Sequence, residues 1–529
     1  AAQGCRTCHP PVPGTHSIHA HFRLPLNMSH TSSASDEERT PEAVPEVPEP
    51  LPTLWEVLNG LGLGIFQLRA QIVGGGMFLA DGAEIQTIAT VTLPLAKELG
   101  LSPAARGSLT SAVYVGVMIG SFFSGAVGDR FGRRPPILVG FAMLAVLAVI
   151  SAYTANYMQL LVLRALFGIA YGVGGPCWNT MAAEIVPATW RMVMAGTSQV
   201  YFQLGELYSI FITWLNDPMM LEIDWRWQLV MSAVPAAVCF LLALIYLDES
   251  PAFLSVQGEH KRAREVLQRM RRLNGCPGAG IDYTPAALPD REDTTGSFQN
   301  QLSVVLGRHL LMPTLALAYS FVVINFIFYG NLYVFPQVLP DLSDEHSGLS
   351  PTASMALGIL TGEVPGVVVG ATLGSLLPRR LTSILYMASL GLAATIFGFV
   401  VDISEHSRVT AWALFLGYLV MRFSVNLGFV ILWQYSAEVF PTVVRATGSS
   451  VVFGVGRLGA ILAPPVYEHL KASTGLHKPY FLFSGILCAV NLMLMWYVPE
   501  TAGRNLTDST DDLTKAEVDG GREYEPLAR

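Results

Sequence analysis

The chain has 529 residues, 51% hydrophobic and only 14% charged, against roughly 25% charged in an ordinary soluble domain. With a mean hydropathy of +0.44, that composition argues against a water-soluble enzyme. The net charge of -8, from 32 basic and 40 acidic residues, gives no basic face for nucleic acid. Six cysteines are too few for a disulfide scaffold, and Cys177, Cys239 and Cys488 sit in apolar runs as small core residues.

In chain order, residues 1–53 form a polar, proline-rich stretch with no apolar h-region, so no signal peptide is expected and the segment reads as an unfolded tail. A helix needs about 20 mainly apolar residues to cross roughly 30 Å of hydrocarbon. Twelve runs meet that demand: Gln71 to Leu95, Gly107 to Val127, Ile137 to Tyr153, Met158 to Ala182, Met194 to Leu215, Leu229 to Leu247, Leu311 to Val334, Met355 to Leu377, Ser383 to Val401, Ala411 to Tyr435, Gly448 to Val466 and Pro479 to Tyr497. The expected fold is therefore an all-α membrane protein of twelve transmembrane helices in two six-helix bundles, residues 54–247 and 309–498. A polar linker, residues 248–308, separates them and carries a basic amphipathic helix over Glu259 to Leu273, and a polar tail covers 499–529.

Basic residues fall in alternate loops: Arg130, Arg133, Arg134, Arg191, a cluster from Lys261 to Arg272, Arg379, Arg380 and Arg445. The positive-inside rule then predicts that these loops and both termini are cytoplasmic. Asp217, Glu222, Asp224, Asp341, Asp344 and Glu345 occupy the other loops, which agrees.

The halves also repeat one another. Gly128-Asp129-Arg130-Phe131-Gly132-Arg133-Arg134 after span two corresponds to Gly374 through Arg380 after span eight, and Glu184 to Arg191 after span four to Glu438 to Arg445 after span ten. Repeated six-helix units are how secondary transporters build two bundles around a midplane site. With DESPAFL (Asp248 to Leu254), AEVFPTVVRATG (Ala437 to Gly448) and PETAGRNL (Pro499 to Leu506), the chain resembles the major facilitator superfamily. GLGIFQ (Gly62 to Gln67), ADGAE (Ala80 to Glu84) and GEVPG (Gly362 to Gly366) are similar to its synaptic-vesicle-2-related and nicotinate-transporter-like branch. The resemblance covers about residues 53 to 506 and implies alternating access. It also implies a gating role for the loop residues Gly128, Asp129, Arg130, Gly132, Arg133 and Arg134, with Glu184–Arg191, Glu249, Glu438–Arg445 and Glu500–Arg504 in the same charge network. Asp248 stands where the family usually has Pro, and the second loop motif has Ser375 and Pro378 in place of Asp and Gly, which predicts a weaker second lock.

Charges inside spans are costly and face a bundle interior or an aqueous cavity. Span one carries Asp81 and Glu84, span four Arg164, span five Glu206, span eight Glu363, span ten Arg422 and span eleven Arg457. At about 1.5 Å per residue from the outer ends, Glu84 lies about 14 Å deep, Asp81 about 18 Å and Arg164 about 10 Å, while Glu363 and Arg422 lie at about 13 and 16 Å. Each half thus holds a carboxylate and an arginine at similar depth. By resemblance to proton-coupled sugar porters, Asp81 or Glu84 is the expected protonation switch with Arg164 as partner; the competing reading is a permanent structural ion pair.

Candidate substrate contacts are Gln86, Gln199, Gln203, Glu206, Asn325, Tyr329, Glu363, Arg422, Asn426, Trp433, Gln434 and Arg457. Two free arginines and an aromatic set suit a small organic anion; the carboxylates would equally suit an organic cation, and a sugar remains open. No metal or cofactor is expected. Cys5-Arg-Thr-Cys8-His9 and His16, His19 and His21 lie in the tail with no domain around them, and Gly60, Gly62 and Gly64 lack the dinucleotide-binding context. The sequons at Asn27 and Asn505 fall on the expected cytoplasmic side. The expectation is a secondary transporter, driven by protons, in the plasma membrane or a vesicle membrane. The alternative from another class is a membrane receptor or vesicle protein on a transporter fold that no longer transports.

Overall fold

The computed structural model describes residues 51–284, 298–342, 350–403, 408–441 and 444–501, and the elements found there are helices, with no strand among them. The first is α1 (Leu54–Leu61), set off by a sharp bend of 99° from α2 (Ile65–Gly74) and α3 (Gly76–Leu99), which together form span one. Spans two to six are α4 (Pro103–Phe131), α5 (Arg134–Ala152), α6 (Tyr157–Ile185), α7 (Arg191–Asn216) and α8 (Trp225–Tyr246). The linker holds α9 (Pro251–Val256), α10 (His260–Leu273) and α11 (Phe298–Val305). Spans seven to twelve are α12 (Leu311–Leu342), then α13 (Pro351–Gly358) and α14 (Val364–Leu376) as one span, α15 (Arg379–Val400), α16 (Arg408–Val439), α17 (Arg445–Thr474) and α18 (Lys478–Leu494).

Ten of these helices are long and apolar enough to cross a membrane on their own, and span one adds an eleventh as part of a bent pair. The twelfth is α7, whose buried face carries Ser198, Gln203, Glu206, Ser209 and Thr213, so that its polarity reflects what it lines. The tail at 1–50, Arg504, both sequons and loop residues Asp344 and Glu345 lie outside the described residues.

Prolines inside spans supply cross-helix anchors, because each removes one N–H and frees the carbonyl four residues earlier. Pro235 frees the Met231 carbonyl, which accepts the Tyr208 hydroxyl at 2.8 Å. Pro465 frees the Ile461 carbonyl, which accepts the Ser111 hydroxyl of span two at 2.6 Å. Span eleven runs on past this proline pair to Thr474, beyond the expected end at Val466. Span eight is interrupted by a π-turn over Ile359–Glu363, a feature frequent where a side chain is re-aimed at a functional site.

The loops bearing Arg130–Arg134 and Arg379–Arg380 lie at one end, called here the basic end; the opposite end carries Ser102, Asp217 and His477. Helix α10 buries Ala263, Val266, Leu267 and Met270 and turns its basic face outward. It is tied down at the basic end by Asn274, whose amide donates to the Leu61 and Gly62 carbonyls and whose oxygen accepts from the Phe66 N–H at 3.1 Å. Asp248, the departure from the family pattern, pairs with Arg69 of span one at 3.0 Å and with Arg269 of α10.

Candidate functional site

Two buried ion pairs sit at the middle of the molecule, one in each bundle. In the first, Glu84 of span one is paired with Arg164 of span four, and both are almost fully buried. Ser151 of span three accepts from Arg164 at 2.6 Å, and Ser232 of span six donates to the second Glu84 oxygen at 2.5 Å. In the second, Glu363 at the end of the π-turn is paired with Arg422 of span ten. Arg422 also lies 3.9 Å from Glu206 of span five, across the bundle interface. Such pairing is what makes charges tolerable at this depth.

Asp81 does not join Glu84 on Arg164. It is 2% exposed, its Oδ1 has no hydrogen-bond partner, and the Tyr171 hydroxyl and the Arg457 guanidinium act on it. Arg457, from span eleven, donates to the Tyr329 hydroxyl at 3.0 Å, and Tyr329 packs on Tyr114 of span two with ring centroids 4.7 Å apart. Tyr114 from one bundle thus meets Tyr329 and, through it, Arg457 from the other, with Asp81 and Tyr171 on the first bundle's side of this cluster. Of Arg164, Arg422 and Arg457, only Arg457 has no carboxylate within 4.0 Å among the described residues. This corrects the expectation of two free arginines: Arg422 is taken by Glu363 and Glu206.

Gln203 donates to Asn426 at 3.2 Å, joining spans five and ten directly. Gln86 is fully buried with neither amide atom partnered; such orphans need an account. Asn325 instead donates to the Phe321 carbonyl of its own helix at 2.7 Å and lies against Gly456, a packing role. Trp433 and Gln434 lie about 10 Å from Asn426 toward the basic end, away from the central cluster. Trp433 is 45% exposed and stacks on Phe453, and Gln434 faces Gly374 of span eight. Exposure along span five rises in that direction: Gln203 is 1% exposed, Gln199 one turn nearer the basic end is partly exposed, and Gly196 beyond it has open space over its α-carbon.

The basic-end charges form two closed clusters, one per bundle. Gly132, at φ +95, turns the chain so that the Arg133 and Arg134 N–H groups both reach the Glu249 carboxylate, at 3.0 and 3.1 Å. Arg133 also pairs with Asp129 at 3.0 Å and Glu184 at 3.1 Å and donates to the Gly128 carbonyl, while Arg130 lies over Phe131. In the second half, the Arg379 and Arg380 N–H groups reach Glu500 at 2.9 and 3.0 Å, and Arg379 pairs with Glu438 at 3.0 Å. Losing Asp and Gly from the second motif has left this geometry in place. Two expected pairings are corrected: Glu184 is held by Arg133 while Arg191 donates to the Ala183 carbonyl and lies over Trp55, and Glu438 is held by Arg379 while Arg445 reaches the Phe440 carbonyl. Every pair named here joins helices of one bundle, so none is an interlock between bundles. Arg504 lies outside the described residues.

One ionic contact between the bundles at the opposite end was missed in the sequence. Arg106 of span two pairs with Glu468 of span eleven at 2.5 Å, and Glu468 is 1% exposed. Tyr333 of span seven donates to the same carboxylate at 2.5 Å. Gly107 lies against the Pro464–Pro465 backbone, with no room for a side chain. Both charges sit near span ends, where they read as ordinary loop residues.

Comparison with known proteins places this geometry in a family. A family model described as "Sugar (and other) transporter" matches residues 71–513. The chain is 27% identical to organic cation/carnitine transporter 7 of Arabidopsis thaliana, over 86% of this chain and 96% of that protein. It is 26% identical to the niacin transporter NiaP of Acinetobacter baylyi, over 85% and 98%, and 25% identical to the synaptic vesicle 2-related protein of Xenopus laevis, over 86% and 82%. The partially occluded inward-open structure of the xylose transporter XylE from E. coli superimposes with a TM-score of 0.66 at 16% identity, covering 83% of this chain and all of that one. The chain belongs to the sugar (and other) transporter family, a multi-pass membrane transporter of the major facilitator superfamily and not an enzyme.

Proposed function

We propose that this transporter carries a small organic solute bearing a carboxylate, driven by protons, and that Arg457 receives the carboxylate. The observation that carries the reading is the partly buried Arg457 at the bundle interface, hydrogen-bonded to the Tyr329 hydroxyl and, unlike Arg164 and Arg422, without a carboxylate within 4.0 Å among the described residues. A guanidinium in an aromatic-lined site is a specific receptor for such a group. Tyr114, Tyr171 and Tyr329 supply rings and hydroxyls for the rest of a small solute.

Proton coupling follows from Asp81. A bound carboxylate takes the Arg457 charge, and Asp81 then has its nearest cation occupied; a proton replaces it, so solute and proton enter together. Glu84 and Arg164, closed off with Ser151 and Ser232, pin spans one, three, four and six so that Asp81 stays aimed at the interface. With the basic loops cytoplasmic, the sealed end faces outward and the state is inward-facing.

A thermal-shift panel of small carboxylates, amines and sugars on purified protein tests the assignment, since a ligand that binds only the folded state raises its stability. The expected result is a shift for carboxylates, lost in Arg457→Gln. A shift confined to amines would overturn the choice of anion in favour of a cation held by Asp81 and Glu206.

A further inference from the structure

We infer that Glu206, Glu363 and Arg422 form a second proton-binding site, built across the two bundles and holding one proton between its carboxyl groups. It goes beyond Asp81 coupling but rests on the same alternating-access reading.

Glu206 and Glu363 are both 0% exposed and Arg422 is 2% exposed. Two ionised carboxylates around one guanidinium would leave a net charge of -1 deep in the protein, a cost that is relieved by neutralisation. One proton removes it. Like-charged carboxyl groups sharing a site behave this way in general, one of the two keeping its proton.

Hydrogen bonding gives the same answer independently. An ionised carboxylate accepts several hydrogen bonds, yet among the described residues no donor reaches either Glu206 oxygen or the Glu363 Oε2, and Arg422 itself keeps Nε and Nη2 unpartnered rather than turning them to these oxygens. Both carboxyl groups lie against the same guanidinium, Glu363 paired with Arg422 and Glu206 3.9 Å from it. A proton held between the two carboxyl groups would give these oxygens the partner they lack. The other charged and ionisable groups acting on Glu206 are Asp81 of span one, Tyr114 of span two, Tyr329 of span seven and Tyr418 of span ten. Among the described residues, Arg422 is the one cation within 4.0 Å of either carboxyl group.

Position supplies the route. Arg422 and Glu363 belong to one bundle and Glu206 to the other, so the cluster is complete only when spans five, eight and ten meet. Toward the basic end the next layer is the Gln203–Asn426 hydrogen bond, beyond which Gln199 is partly exposed and Gly196 has open space over its α-carbon. The proton moves from water onto a Glu206 oxygen when the bundles part, is trapped as the cluster closes, and returns to water when the Gln203–Asn426 layer opens. No bond other than O–H forms or breaks.

Infrared spectroscopy of the full chain in lipid at neutral pH tests this without any solute. The expected result is a protonated-carboxyl band that shifts when glutamate carbons are isotope-labelled and is lost in both Glu206→Gln and Glu363→Gln, because either change leaves a neutral Glu–Arg pair. If one variant fails to fold, the other decides. Absence of a glutamate-sensitive band in the wild type, or its persistence in a folded variant, would overturn the site. A band of the expected kind in a protein whose uptake ignores a pH gradient would leave the site standing and refute the coupling reading instead.

Discussion

Removing the Glu468 carboxylate while keeping its shape, as Glu468→Gln, isolates the ion pair's share in holding the bundles together at the end away from the basic loops. The carboxylate is 1% exposed and is shared by Arg106 at 2.5 Å and Tyr333 at 2.5 Å, so the variant strands a guanidinium whose side chain is 17% exposed. Breaking a buried pair by deleting one partner costs about 3–5 kcal/mol. Taking about 3 kcal/mol for a pair near the rim, and assigning the cost to the closed state alone, the ratio of open to closed molecules rises about 100-fold. The assay is labelling of a cysteine at Thr110, a position 1% exposed and on the same helix, with a membrane-impermeant maleimide. Labelling is expected to accelerate by about that factor in Glu468→Gln and to return toward the parent rate in Arg106→Glu/Glu468→Arg, which restores opposite charges. An unchanged rate in a folded Glu468→Gln protein would refute the argument that this pair holds the end shut.

Three further outcomes follow from the same structure. Gly107→Leu drives a side chain into the Pro464–Pro465 backbone and is expected to prop this end open, raising the same labelling rate with little loss of thermal stability. Burial, with Lys471 nearby, pushes His477 down from 6.5 to about 4, and its ring meets the Tyr467 hydroxyl at 2.8 Å. The unfolded chain therefore binds more protons between those values, so stability is present above pH 6.5 and falls by at most about 3 kcal/mol as pH drops toward 4. His477→Phe would flatten the change in Tm over that window, and an unaltered acid slope would contradict the assignment. Glu249→Gln and Glu500→Gln each weaken the hold on two backbone N–H groups, at about 1–3 kcal/mol; Tm measurements are expected to fall by similar amounts, whereas a large fall for one alone would mean the halves are not equivalent there.

Much of the architecture is legible because hydrocarbon imposes a simple demand on length and polarity. The runs behind α4, α5 and α12 announce themselves, and depth arithmetic matches Glu363 with Arg422 but leaves Asp81 and Glu84 both open as partners of Arg164, which pairs with Glu84. Contacts between bundles were harder to read. Asp81 and Glu84 are one helical turn apart, yet one faces its own bundle and the other the partner bundle; a span of three residues cannot reveal which. Arg106 and Glu468 are 362 positions apart and sit near span ends, so neither depth nor spacing distinguishes them from loop charges. The Glu184–Arg191 and Glu438–Arg445 spacings suggested local pairs, but Arg133 and Arg379 reach those carboxylates from neighbouring helices. Trp433 was chosen for its residue type alone, and its helix carries it out of the central layer.

The measurement that bears most directly on the central claim is uptake into proteoliposomes of a panel of labelled small carboxylates, amines and sugars, with and without an inward proton gradient at clamped membrane potential. The account predicts accumulation of a carboxylate that rises about tenfold per pH unit for each coupled proton and disappears in Arg457→Gln. Uptake of a carboxylate that Arg457→Gln leaves intact, or accumulation indifferent to the proton gradient, would contradict it.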